Sequence, residues 1–143
     1  MTIKKVEVTG SLKERYQVEV KVREFTFVTD QGKPMGNNAG PSPVEYIFFG
    51  FAGCLGTVAR MVALEKKIDL KAFNVKIEGE LNVDVFMGKN KEDRPGFTGI
   101  KVIIDIDAPI SKEEKEAMIH EIDSRCPVSD NLMNHTPIEF VLE

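Results

Sequence analysis

The alternation of apolar and polar residues predicts a mixed α+β chain. Strict alternation is typical of half-buried strands, and it begins at Tyr16 and continues to Val22. The alternation then changes parity, which predicts a hairpin or a bulge near Arg23-Glu24. Further strand-like segments occupy residues 3–9, 73–86, 98–108 and 138–142.

Two helices are predicted by capping boxes, in which a serine and the glutamate three residues later bind each other's backbone N–H groups. The first helix follows a loop rich in glycine, proline and asparagine, begins at Pro43 and ends near Lys67. Its residues 46–64 are apolar on nearly every side, so we expect a buried central helix that lacks the length and uniformity to span a membrane. The second helix begins after Ser111 and ends near Arg125.

The size and charge of the chain limit the possible function classes. Its 143 residues match about one domain at ~150 residues per domain, so a single domain over residues 1–143 is expected. The net charge is −4, with 19 basic residues spread among 23 acidic ones, which leaves no basic surface for the phosphates of a nucleic acid. No apolar run follows the first lysines. We therefore expect a soluble, cytoplasmic protein without nucleic-acid or membrane partners.

The chain has two cysteines, which a reducing cytosol would keep as thiols. Cys54 lies in the predicted central helix among small residues, where an inert structural thiol is the ordinary alternative to a reactive one. Cys126 ends the second helix and precedes Pro127, which favours Cys126 as the N-cap of a further short helix. A thiol facing free backbone N–H groups has a lowered pKa, although an ordinary polar cap is the alternative.

The wide separation of Cys54 and Cys126 excludes a C-x-x-C redox loop and a compact zinc site, so only folding could bring them together. If it does, one thiolate can attack a peroxide O–O bond to give a sulfenic acid, and the second thiol can condense with it to a disulfide. An external thiol must then reduce that disulfide. His120 and His135 share no ligand spacing with a cysteine or with each other, so no metal site is expected.

Two sequence motifs resemble the cysteine signatures of the OsmC/Ohr family. They are Gly40-Pro41-Ser42-Pro43-Val44-Glu45 followed by Ala52-Gly53-Cys54, and Cys126-Pro127-Val128-Ser129-Asp130-Asn131-Leu132. The resemblance covers essentially the whole chain and implies an OsmC-like α+β fold with antiparallel sheets, built as an intertwined homodimer. It also implies thiol-dependent reduction of small organic hydroperoxides without a cofactor. In that cycle Cys54 attacks, Cys126 resolves, and an external thiol reductant restores both.

The sequence departs from the family pattern at the start of the central helix. The best-characterised members carry a glutamate directly after the motif proline, and this position is Val44 here. Glu45 is the nearest candidate catalytic carboxylate. At ~100° per residue it lies on the opposite side of a regular helix from Cys54. A capping box with Ser42 therefore explains Glu45 better than catalysis does.

A positive partner for Cys54 is also expected, because the helix dipole fades within the first turn. Arg15, Arg23 and Arg60 are the candidates, and Arg60 is poorly aimed on a regular helix. By resemblance the arginine comes from the N-terminal strands, so Arg23 is our choice, with an exposed strand-end arginine as the alternative. Phe51 lies within about a quarter-turn of Cys54 and would add an apolar wall for a substrate, although an aromatic on such a helix is more often core.

The departure at Val44 keeps two other functions open. One is a non-catalytic, stress-related binding module in which an apolar cleft holds a ligand and the thiols are incidental. The other is a thiol-disulfide reductase, which uses the same cysteines on a different substrate.

Overall fold

The computed structural model describes all residues from 1 to 143. The chain divides into two compact units, residues 1–49 and 50–143. The long first helix contains residues of both units, and the expectation of a single domain over the whole chain stays a prediction.

The first unit contains a three-stranded antiparallel sheet in the order β1-β2-β3. The strands are β1 (Thr9–Leu12), β2 (Val18–Val22) and β3 (Phe25–Thr29). Val22 pairs with Phe25, so the hairpin turn is the dipeptide Arg23-Glu24, as the change of parity predicts. Arg23 has a φ of 50°, in the left-handed region that such short hairpin turns require.

The loop after β3 folds around the buried carboxylate of Asp30. Arg15 also stabilises this loop, because its guanidinium donates a 2.7 Å hydrogen bond to the carbonyl oxygen of Met35. The Ala39 N–H makes the largest contribution to holding the pKa of Asp30 below its usual value, and the charge of Arg15 adds to it. The Asp30 oxygens accept from three backbone N–H groups, those of Gln31, Asn37 and Ala39.

Helix α1 spans Pro43–Glu65 and begins with the predicted capping box. The Ser42 N–H donates to Glu45 Oε2 at 2.6 Å, and the Glu45 N–H donates back to Ser42 Oγ at 3.4 Å. The helix stops two residues before its expected end. Lys67 turns into the left-handed region with a φ of 55°, and the Ile68 N–H bonds back across the last helical turn.

Only one face of α1 is buried by this chain, so the expectation of burial on every side is wrong. Met61 and Leu64 are exposed, because no other element of the chain covers that face. By length and composition alone α1 also qualifies as a membrane span, contrary to the sequence argument, and a core helix of a soluble protein meets the same criteria. The buried residues are Phe51, Leu55, Val58, Ala59, Val62 and Ala63.

The second unit contains a long antiparallel hairpin of β4 (Ala72–Leu81) and β5 (Phe97–Asp107). Between these strands lies a short helix, α2 (Val83–Phe86). Two helices follow the hairpin, α3 (Lys112–Arg125) and α4 (Pro127–Met133). Apolar residues of both strands, α3 and α4 form one core with the buried face of α1. At the centre of this core lie the fully buried side chains of Val62, Met118 and Ile122.

Parts of three predicted strands are not strand in the structure. The end of segment 73–86 is the short helix α2, because the Asn82 side chain accepts the Asp84 N–H and caps a helical turn. Residues 3–8 and 138–142 have no regular structure, and their apolar side chains are exposed. Their apolar residues are of the kinds typical of a strand, but no strand of this chain pairs with them.

Candidate functional site: the Cys54–Cys126 pair

The structure brings the two cysteine side chains into direct contact. Cys54 lies on α1, and Cys126 is the single residue between α3 and α4. Their Sγ atoms are 2.8 Å apart, with the Cys126 S–H donating to the Cys54 sulfur. Both residues are free thiols. Two sulfur atoms at this distance need only a small shift to reach the ~2.05 Å of a disulfide bond.

The two thiols differ in their access to solvent. Cys126 is 1% exposed and belongs to the hydrophobic core, whereas Cys54 is half-buried. A methyl group placed on Gly50, one turn before Cys54 on the same side of α1, would meet no atom of this chain within 4 Å apart from its sequence neighbours and the backbone of α1 itself. The helix surface next to Cys54 is therefore open to another molecule, and the Cys126 sulfur is not.

The pKa of the Cys126 thiol is raised, contrary to the sequence argument from its N-cap position. Burial has the largest effect, because it penalises the charged thiolate, and the hydrogen bond to Cys54 also raises the pKa. The Ser129 N–H lies 3.4 Å from Cys126 Sγ and lowers the pKa, but by less. Cys126 therefore keeps its proton and serves as the hydrogen-bond donor of the pair.

Ser129 and Asp123 support Cys126, and neither is among the site residues predicted from the sequence. Ser129 is 3% exposed, and its hydroxyl donates to Asp123 Oδ1 in the last turn of α3. The Cys126 N–H donates to the Asp123 carbonyl oxygen at 3.2 Å. The signal was present in the second motif, since Ser129 stands at the third position after the N-cap, where a backbone N–H faces the cap side chain.

A cluster of charged residues joins the ends of the two helices that lead to the cysteines. Arg125 of α3 makes two hydrogen bonds to the Glu65 carboxylate of α1, at 2.7 and 2.9 Å. Lys66 pairs with Glu121 at 2.5 Å. The Arg125 hydrogen bond holds the pKa of Glu65 below its usual value. Partly exposed ion pairs add little stability, so their main effect here is to fix how α3 meets the end of α1.

Each of the three candidate arginines makes an ion pair or a hydrogen bond with a group other than Cys54. Arg23 is exposed, pairs with Glu24 at 3.9 Å, and lies over the Phe25 ring at 5.0 Å. Arg60 donates to the Leu70 carbonyl oxygen at 3.5 Å, after the end of α1, and Arg15 holds the loop after β3. A role for Arg23 as the positive partner of Cys54 stays a prediction.

The other two candidate site residues also have structural partners. Glu45 Oε2 accepts both the N–H and the hydroxyl of Ser42, and these bonds hold the pKa of Glu45 below its usual value. Phe51 is buried in the core beside Leu55. Catalysis by Glu45 and substrate binding by Phe51 remain predictions. No group of three or more His, Cys, Asp or Glu side chains is arranged to hold a metal ion.

The sequence of this chain was compared with models of known protein families. A family model described as OsmC-like protein matches residues 36–141. The chain belongs to the OsmC-like family. No relative among curated proteins matches the chain significantly.

Solved structures of OsmC-like proteins have the same fold. An OsmC-like protein from Mycoplasma pneumoniae is 23% identical, with a TM-score of 0.81, over 92% of this chain and 89% of that one. An organic hydroperoxide resistance protein OsmC from Legionella pneumophila is 19% identical, with a TM-score of 0.70, over 92% and 91%. An organic hydroperoxide resistance protein from Elizabethkingia anophelis is 21% identical, with a TM-score of 0.64, over 90% and 88%.

The two capping boxes of this OsmC-like chain offer a matched test of Glu45. Glu45→Gln and Glu114→Gln remove equivalent carboxylates. Glu114 Oε2 accepts the Ser111 N–H at 2.7 Å, just as Glu45 Oε2 accepts the Ser42 N–H. We expect each variant to unfold at a slightly lower urea concentration than wild type, because the Gln amide oxygen can still accept from the cap N–H but the negative charge at the helix N-terminus is gone. Any hydroperoxide turnover should stay within about twofold of wild type, because a change of charge at the start of either helix does not reach the thiols.

The same pair of variants gives the expected pH dependence and the contrary result. The folded-state pKa of Glu45 lies below its ordinary value. Its stabilisation is therefore present at neutral pH and is lost as the pH falls through that lowered pKa. A Glu45→Gln variant that loses more than about tenfold in turnover, beside an intact Glu114→Gln, would assign Glu45 to catalysis instead.

Proposed function

We propose that this OsmC-like protein is a cysteine-based peroxidase that reduces organic hydroperoxides. The observation that carries the proposal is the 2.8 Å contact between Cys54 Sγ and Cys126 Sγ, because a two-cysteine cycle needs a second thiol within reach of the first. The substrate class is supported by similar structures that are described as organic hydroperoxide resistance proteins.

The proposed cycle begins at Cys54. Its thiolate attacks the terminal oxygen of the hydroperoxide, the O–O bond breaks, and the leaving alkoxide takes a proton to become an alcohol. Cys54 is then a sulfenic acid. The Cys126 thiol attacks that sulfur, a disulfide forms, and water leaves. Two external thiols reduce the disulfide and are themselves oxidised to a disulfide.

The assignment of the two roles follows from burial. A peroxide must reach the attacking sulfur, and Cys54 is the half-buried thiol with open space beside it. Cys126 is buried and protonated, so a peroxide meets it last. Proximity converts its attack on the sulfenic acid into a unimolecular step. The surroundings of Cys54 on α1 are mostly apolar, which favours an alkyl or aryl hydroperoxide over hydrogen peroxide.

A homodimer is part of the proposal. Exposed apolar side chains are concentrated on α1 and on the two terminal segments, 3–8 and 138–142. Exposed apolar side chains in such numbers favour an interaction site, and strand-like segments without a partner strand can complete their hydrogen bonds by pairing with another sheet. A second copy of this chain would supply such a sheet.

The test is the covalent product of a single turnover. The fully reduced protein, treated with one equivalent of cumene hydroperoxide, should lose two hydrogens in mass, and digestion should yield a peptide pair linked between Cys54 and Cys126. Hydrogen peroxide should form the same link more slowly. A protein that binds cumene hydroperoxide without forming the link is a binding module. One that is oxidised only by small disulfides is a thiol-disulfide reductase, and either result overturns the proposal.

A further inference from the structure

We propose that Ser129, held by Asp123, is a positioning residue that keeps the Cys126 sulfur against Cys54. The inference rests on the proposed thiol cycle and concerns its second step, in which the disulfide closes. Ser129 touches the Cys126 sulfur only through its backbone N–H, so it acts through another group rather than on the substrate.

Three hydrogen bonds make the joint between α3 and α4 a closed unit. The Cys126 N–H donates to the Asp123 carbonyl oxygen at 3.2 Å, and the Ser129 N–H donates to Cys126 Sγ at 3.4 Å. The Ser129 hydroxyl closes the ring by donating to Asp123 Oδ1. Cys126 alone separates the helices, with an extended ψ of 108°, so these bonds decide the angle between them.

The hydroxyl bond is the part of this joint that a side-chain change can remove. A hydroxyl donating to a carboxylate is a charge-assisted hydrogen bond, about twice as strong as a neutral one. Met133 Sδ also lies 3.6 Å from Ser129 Oγ. A thioether is a weak acceptor, so the Ser129 hydroxyl donates its hydrogen bond to the Asp123 carboxylate rather than to Met133. Ser129 is nearly fully buried, so water has little access to its hydroxyl while Asp123 is in place.

Loosening this joint should lower the effective concentration of the two thiols. In the wild-type protein the first turn of α4 cannot tilt without breaking the bond to Asp123, so the Cys126 sulfur stays in contact with Cys54. Without that bond, the joint is more mobile, and each closure of the disulfide must cost the conformational entropy of ordering it. Misplacement of about 1 Å can cost as much as a hundredfold in such reactions, and we expect about a tenfold effect from one lost contact.

The experiment measures the thiol-disulfide equilibrium of the full chain against glutathione, which needs no hydroperoxide. Glutathione disulfide takes two electrons and two protons from the protein dithiol and becomes two glutathione thiols. We expect Ser129→Ala to make disulfide formation about tenfold less favourable, and Ser129→Thr, which keeps the hydroxyl, to stay within about twofold of wild type. Asp123→Ala breaks the same bond from an exposed position and should match Ser129→Ala.

Ser124→Ala is the matched control, because its hydroxyl donates to the Glu121 carbonyl oxygen within α3 and touches neither cysteine. It should leave the equilibrium unchanged. Equal equilibria for wild type, Ser129→Ala and Asp123→Ala would overturn the inference while leaving the peroxidase untouched. If the wild type closes its disulfide with glutathione but not with cumene hydroperoxide, the proposed function fails, and the Ser129 effect still decides the inference. Should Ser129→Ala unfold, the equilibrium of Asp123→Ala against wild type decides it in the same way.

Discussion

Replacing Cys54 with serine is expected to abolish turnover of cumene hydroperoxide with a dithiol reductant, lowering kcat/KM by about a thousandfold or more. A serine hydroxyl is not ionised near neutral pH and cannot form a sulfenic acid. The change is small in volume and lies at a half-buried position, so the fold should survive it. Peroxide consumption, measured directly, gives the rate, and thermal unfolding shows that the variant is folded.

The matched control for Cys54→Ser lies on the same helix. Thr57 is exposed one turn further along α1, and its hydroxyl donates to the Gly53 carbonyl oxygen at 2.9 Å rather than to either sulfur atom. Thr57→Ala should therefore keep turnover within about twofold of wild type. Retained turnover in Cys54→Ser would contradict the assignment of Cys54 as the attacking thiol.

Cys126→Ser should behave differently from Cys54→Ser, and the difference comes from burial and protonation. The attacking thiol remains, so the first equivalent of hydroperoxide should still be reduced. The sulfenic acid then has no thiol at 2.8 Å, and excess peroxide oxidises it further to the sulfinic acid. Mass spectrometry would show one added oxygen followed by a second. Loss of the first turnover in Cys126→Ser would mean that the two roles are exchanged.

The two long helices were predictable because their signals are local. In each case a serine and a glutamate three residues apart define the start, and the structure contains both capping boxes. The hairpin at Arg23-Glu24 was also predictable, because a two-residue turn reverses the parity of alternation. Such features depend on neighbours in sequence, so the rest of the fold cannot move them.

The chemistry of the second cysteine was not predictable in the same way. The N-cap position of Cys126 follows from Pro127, and the structure contains that cap. The direction of the pKa shift does not follow, because burial beneath α1 and α3 outweighs the hydrogen bond from Ser129. Likewise, the bond between Ser129 and Asp123 forms only when α3 and α4 meet at a particular angle, which the sequence pattern does not specify. Burial and helix angle belong to tertiary structure, which no local pattern encodes.

The terminal segments show the opposite case, in which a strand pattern is present and the strand is absent. Ile138 and Phe140 are 76% and 93% exposed, although the β-branched and aromatic residues of segment 138–142 are typical of a strand. The proposed homodimer would explain both facts, since pairing with a sheet edge of the second copy would satisfy the backbone and bury the apolar side chains together.

Charging the C-terminal segment should therefore convert the proposed homodimer into monomers. In a twofold-symmetric dimer, Ile138→Asp with Phe140→Asp removes four buried side chains, each worth about 2 kcal/mol. Sedimentation at micromolar concentration should show a monomer. The control, Glu139→Gln with Glu143→Gln, changes polar neighbours of the same segment and should remain dimeric. Because Ile138 and Phe140 contact little within their own chain, the monomer should keep its helical signal and its Cys54–Cys126 closure with glutathione. A wild type that sediments as a monomer, or a charged variant that stays dimeric, would contradict the proposed interface.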